Sequence, residues 1–124
     1  MSVFSDLRTT LVADLPDLDV SPSWPVELNP PCAFITPPLA ESYVTQGPMF
    51  GEFTVALDLV LLVAHSDAEE ALFQLESMLA YALRNTADWV LTGVAAPAPT
   101  TVTENGADYL ATVIHLSKPV RIGA

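Results

Sequence analysis

The chain has 124 residues, 51% of them hydrophobic, and a formal net charge of −11 from 15 acidic and four basic side chains. That is enough length for one domain that buries about two-thirds of its unfolded surface in a single core. Holding DNA or RNA by its phosphates takes clustered Lys and Arg, and Arg8, Arg84, Lys118 and Arg121 are the whole supply, so tight nucleic-acid binding is not expected.

The N-terminal residues Met1-Ser2-Val3-Phe4-Ser5-Asp6 carry neither the basic region nor the apolar region of a secretory signal. Val3, Phe4, Leu7, Leu11, Val12 and Leu15 then recur at helical spacing, Ser2 can cap the start, and Pro16 enforces the stop. The spacing predicts a helix over residues 3–14 with a core-packing stripe. Residues 16–38 hold seven prolines, which bars central sheet throughout. Leu18-Asp19-Val20 suits a short strand, Trp24 is expected to lie flat over the core, and Cys32-Ala33-Phe34-Ile35-Thr36 is the clear strand of this region. A single cysteine cannot form an internal disulfide, so Cys32 reads as a small buried hydrophobe in a reducing cytoplasm.

Residues 39–51 show little periodicity, and Gly47-Pro48 and Gly51 mark turns. Two readings stand here. One is an exposed loop that offers Tyr43, Met49 and Phe50 to a partner. The other is an ordinary hairpin whose Met49 and Phe50 tuck into their own core.

Residues 53–64 are the organising stretch. Phe53, Val55, Leu57, Leu59, Leu61 and Val63 occupy every odd position, which predicts a long strand with one fully buried face. The run is too short to span a membrane, which takes about 20 residues, so no membrane partner is expected. Ser66-Asp67-Ala68-Glu69 reads as a capping box that starts a helix over residues 67–85. Ala68, Leu72, Leu75, Leu79, Ala82 and Leu83 form its expected stripe. Phe73 and Tyr81 lie off that stripe, at about 100° and 180° from Leu72, and suggest a second contact surface. A wide apolar face with Tyr81 half exposed is the plainer alternative. Asn85 is suited to close the helix in a left-handed conformation.

Trp89-Val90-Leu91 fits either a strand or a helical turn. Ala95-Ala96-Pro97-Ala98-Pro99 reads as a rigid connector. Residues 100–104 and 107–117 are then two strands joined by Asn105-Gly106, the strongest short hairpin signal because both central positions of the turn need positive φ. The segment after them, residues 118–124, is the one locally basic stretch, with Lys118 and Arg121 expected to meet an acidic neighbour.

No catalytic signature emerges. Cys32, His65 and His115 have no ligand spacing of the CxxC or HExxH kind, so no metal is expected. There is no GxSxG nucleophile sequence and no phosphate-cradling glycine loop, so no cofactor is expected either. Glu69 and Glu70 are charges favoured at a helix start. Glu52 and Asp58 share one face of the long strand but stand roughly 20 Å apart, too far to work as a pair. An enzyme is therefore not expected. The fold class that follows is α+β: a mixed, mostly antiparallel sheet of about four to five strands against two helices, closed by the C-terminal hairpin.

The order of these elements resembles the tail-terminator proteins of long-tailed, siphovirus-type phages, the family of the lambda tail terminator. The resemblance spans nearly the whole chain as one domain. It includes FSDLRTTLV (4–12), PPCAFITP (30–37), GEFTVALDLVLLVAHSDAEEALFQLESML (51–79) and YLATVIHLSKPV (109–120). It implies a structural virion protein that forms a hexameric ring, caps the tail tube, ends its polymerisation and joins the tail to the head connector. Its partners would be further copies of itself, the tube protein and a neck protein. DNA would pass through the ring without sticking to the acidic chain, and assembly would take place in the host cytoplasm. The resemblance supplies no catalytic position. The candidate contact residues are Tyr43, Met49, Phe50, Phe73, Tyr81, Lys118 and Arg121. Two alternatives are another neck, head-completion or tail-completion adaptor, and a small cellular domain that binds an apolar ligand.

Overall fold

A computed structural model describes residues 2–23, 30–38, 42–65, 67–101 and 108–122. The chain is α+β. Helix α1 spans Val3–Asp14. Strands β1 (Val20–Ser21), β2 (Cys32–Thr36), β3 (Val44–Gln46) and β4 (Glu52–Ala64) follow it. Helix α2 spans Ala68–Asn85, and β5 (Val90–Val94), β6 (Ala98–Thr101) and β7 (Asp108–Arg121) complete the order. The Trp24 packing and the Asn105-Gly106 turn fall outside the described residues. Among the described residues, no helix is long and apolar enough to cross a membrane.

The described sheet has seven strands in the order β1-β2-β4-β7-β5, with β3 also on β4 and β6 also on β7. That is a wider sheet than the sequence suggests, because three short strands add to its edges. Only the β1–β2 pair is parallel; the other pairs are antiparallel. The central rung is β4 against β7, in continuous register from Glu52↔Arg121 to Ala64↔Tyr109.

The period-two pattern sets the core. Val55, Leu57, Leu59, Leu61 and Val63 are all fully buried, and they face the same layer as Leu110, Ile114 and Leu116 of β7. Both helices cover this face: α1 through Leu7 and Leu11, with Leu15 just beyond its end, and α2 through Ala71, Leu75, Met78 and Ala82. The opposite face carries a smaller cluster of Cys32, Phe34, Leu62 and Tyr109.

Three local readings need correction. The N-cap of α2 is Asp67, whose carboxylate accepts from the Glu69 and Glu70 amides at 3.1 Å; the expected cap, Ser66, lies outside the described residues. The buried stripe of α2 is Ala71-Leu75-Met78-Ala82, while Leu72 and Leu83 are 40% and 37% exposed and Ala68 is exposed. Leu75 and Ala82 of the expected stripe are buried as read, and Ala71 and Met78 complete the inner face in place of Leu72 and Leu83. Asn85 ends the helix by donating its side-chain amide to the Tyr81 carbonyl, and Thr86 bonds the Ala82 carbonyl. Among the described residues, none other than glycine has positive φ, so the left-handed closure is not used.

The expected connector is also sheet. Ala98 and Pro99 belong to β6, and Pro99 is tolerated because β6 is an edge strand, where a missing N–H costs no ladder bond. Strands β5 and β6 therefore run one after the other along the outer edge of β7. They are linked through Ala95, whose amide donates to Val113 at 2.9 Å.

Candidate functional site

The residues between β3 and β4 form a hairpin, but Met49 and Phe50 do not tuck inward. Gly47 donates its amide to the Glu52 carbonyl at 2.7 Å, Glu52 donates to Met49 at 3.0 Å, and Ile122 donates to Gly51 at 2.9 Å. Gly51 takes φ +81°, a conformation side chains resist, and a Cβ at Gly47 would stand 2.9 Å from the Glu52 carbonyl oxygen. This braced turn holds Phe50 at 98% exposure and Met49 at 60%, beside Ile122 at 39%. An exposed phenylalanine forgoes about 1.5–3 kcal/mol of burial. A hydrogen-bonded tip that displays one is a candidate contact surface.

A second apolar surface lies on β5. Val90, Leu91 and Val94 are 55%, 50% and 37% exposed. A bulge between Leu91 and Gly93 shifts the register against β7. Among the described residues, β5 is the last strand on this side of the sheet. Sequence reading missed this surface, although a signal is present: residues 90–101 carry no charged side chain in a chain of net charge −11. The third surface is the outside of α2, where Phe73 is 73% exposed. Glu69, Glu70 and Glu76 lie on the same exposed side of the chain's most acidic helix.

The remaining candidates are engaged within the chain. Tyr43 is half-buried, its ring 5.3 Å from that of Phe4. Tyr81 is half-buried against the core, and its hydroxyl accepts the Asp17 amide at 3.0 Å, which ties α2 to the exit of α1. Lys118 sits 5.0 Å from the centre of the Trp89 ring, a cation–π contact. Trp89 is itself buried and donates its indole N–H to Asp14 at 3.4 Å. Arg121 donates to Glu52 at 3.2 Å across the β4–β7 register. Both cations of the basic segment are thus part of β7, not of a free tail.

One polar pair was not foreseen. Asp58, 4% exposed in the middle of β4, meets His115 of β7 with Oδ1 and Nδ1 2.7 Å apart. The signal was a carboxylate inside the most apolar strand, since a buried charge demands a partner. His65 is no part of this pair. It follows Ala64 at the far end of the β4–β7 ladder, where its amide donates to the Asp108 carbonyl, roughly 20 Å along the strand from His115. His65 and His115 therefore do not form one metal site. Glu52 and Asp58 likewise take separate partners, Arg121 and His115. Cys32 is buried in the smaller apolar cluster.

No protein-family model matches the chain, and no curated protein matches it.

Proposed function

We propose that this chain is a structural ring subunit that caps a phage tail tube, ends its polymerisation and joins the tail to the head connector. The observation that carries the reading is the display of large exposed hydrophobic side chains on three separate surfaces of one small domain: the 47–51 tip, the β5 edge and the otherwise acidic outside of α2. An adaptor in a ring needs two different patches to close the ring by rotation and further surface for its axial neighbours. The element order and the mostly antiparallel sheet under two helices agree with the fold that the tail-terminator resemblance implies. The net charge of −11 suits a ring that DNA crosses without adhering, since like charges repel. On this reading the protein resides in the virion, at the neck of the tail.

Light scattering and electron microscopy of the purified protein test the ring. A closed oligomer, six-fold by the resemblance, is the expected result. A strict monomer at every concentration, alone and with tube protein, overturns the reading.

A further inference from the structure

The Asp58–His115 pair, the small cluster around Phe34 and the three apolar surfaces are the features the fold leaves to account for. The surfaces carry furthest, because charge divides them. Two copies of a −11 chain repel unless the touching surfaces are free of like charge. The outside of α2 fails that condition: Phe73 stands on a helix that also carries Glu69, Glu70 and Glu76. Of the four cations that a neighbouring copy offers, Lys118 and Arg121 already lie on Trp89 and Glu52. The two remaining surfaces pass. Residues 42–51 and residues 90–101 contain no charged side chain.

Their placement is also complementary. Strand β3 lies on the side of β4 away from β7, its tip stands at the end of the β4–β7 ladder, and β5 lies on the side of β7 away from β4, so the two surfaces are separate places on one sheet. Such a pair makes a head-to-tail contact, which builds a ring when its rotation closes. We infer that the Met49–Phe50 tip of one copy packs on the outer edge of β5, over Val90, Leu91 and Val94, of a second copy of this chain. This inference rests on the ring reading and names the contact within it. It leaves the acidic, Phe73-bearing face of α2 for an axial partner of opposite charge.

Disulfide trapping tests the contact directly. Phe50 and Leu91 of one chain are separated by two strand spacings and by about seven residues along the strands, roughly 20 Å or more. No bond within one chain can bridge that distance, because disulfide Cα atoms lie within about 7 Å. Phe50→Cys and Leu91→Cys are both exposed substitutions and leave the core intact. Mixed under mild oxidation, the two variants are expected to give a crosslinked dimer, while each variant alone gives none; the double variant gives a ladder up to the ring size. Crosslinking of Phe50→Cys with itself overturns the head-to-tail contact in favour of a symmetric one. Absence of crosslinks while the unmodified protein runs as a ring overturns this contact and leaves the ring reading standing. A strict monomer at every concentration, alone and with tube protein, overturns both. In the same series Leu91→Glu and Phe50→Glu each weaken association at least tenfold, with circular dichroism unchanged. Phe73→Glu leaves association between copies within twofold; a loss equal to that of Leu91→Glu assigns the contact to α2 instead.

Discussion

Replacing His115 by alanine leaves the Asp58 carboxylate in the middle of the sheet without the partner the fold gives it. The carboxylate's side chain is 5% exposed and that of His115 is 31% exposed. Leaving a buried polar group without its hydrogen-bond partner costs roughly 1–3 kcal/mol, and more when the group is charged. Here the outer wall of the site is open enough for water to replace part of the lost imidazole. The expected loss is therefore about 2–3 kcal/mol. In a chain of this length that lowers the midpoint of thermal unfolding by about 10 °C. Asp58→Asn keeps a group that can hydrogen-bond to the ring and costs about 1 kcal/mol. The double variant Asp58→Leu/His115→Leu removes both polar groups and fills their space, so it returns close to wild-type stability. Urea unfolding followed by circular dichroism reads all three, with a shifted midpoint at constant slope as the mark of a simple stability change. A His115→Ala loss below about 0.5 kcal/mol refutes the reasoning, and so does a double variant that loses as much as the two singles combined.

Other substitutions separate the elements of the fold. Leu75→Ala, fully buried on the inner face of α2, costs about 3 kcal/mol in urea unfolding, whereas Leu72→Ala at the rim costs less than about 1 kcal/mol; equal costs restore the stripe read from the sequence, on which both leucines lie. Asp67→Ala removes the α2 cap and costs about 1 kcal/mol by the same assay, while Asp67→Asn costs a few tenths at most. Gly51→Ala forces a side chain into a positive-φ turn and costs about 1 kcal/mol or more by thermal unfolding. Phe50→Ser changes monomer stability by less than about 0.5 kcal/mol, since its ring touches little of its own chain.

How far the sequence was legible follows from which forces are local. Helix α1 could be read to the residue, since Ser2 caps it, the stripe is regular and Pro16 stops it. The long strand was legible because every odd position from Val55 to Val63 is a large hydrophobe. Strand β5 was legible only as one of two readings of Trp89-Val90-Leu91, because Val90-Leu91-Thr92-Gly93-Val94 alternates poorly around its bulge and is held by β7 from outside. The face of α2 is legible in part: Leu75 and Ala82 of the expected stripe are fully buried, while Ala71 and Met78 complete the inner face in place of the larger Leu72 and Leu83. The Asp58–His115 pair spans 57 residues and depends on the β4–β7 register, which no local pattern encodes. Among the candidate contact residues, Met49, Phe50 and Phe73 do face solvent. Tyr43, Tyr81 and Lys118 are half-buried and engaged by partners that only the fold supplies, namely Phe4, the Asp17 amide and Trp89.

The ring-cap account is tested most directly by the length of tail tubes. Tails assembled in cells with this protein and without it are measured by electron microscopy, alongside complementation by the wild-type chain and by Leu91→Glu. The account predicts tubes of one length bearing a terminal ring when the wild-type chain is present, and overlong, ringless tubes that join no heads when it is absent or carries Leu91→Glu. Tubes of normal length, joined to heads in the absence of the protein, contradict it.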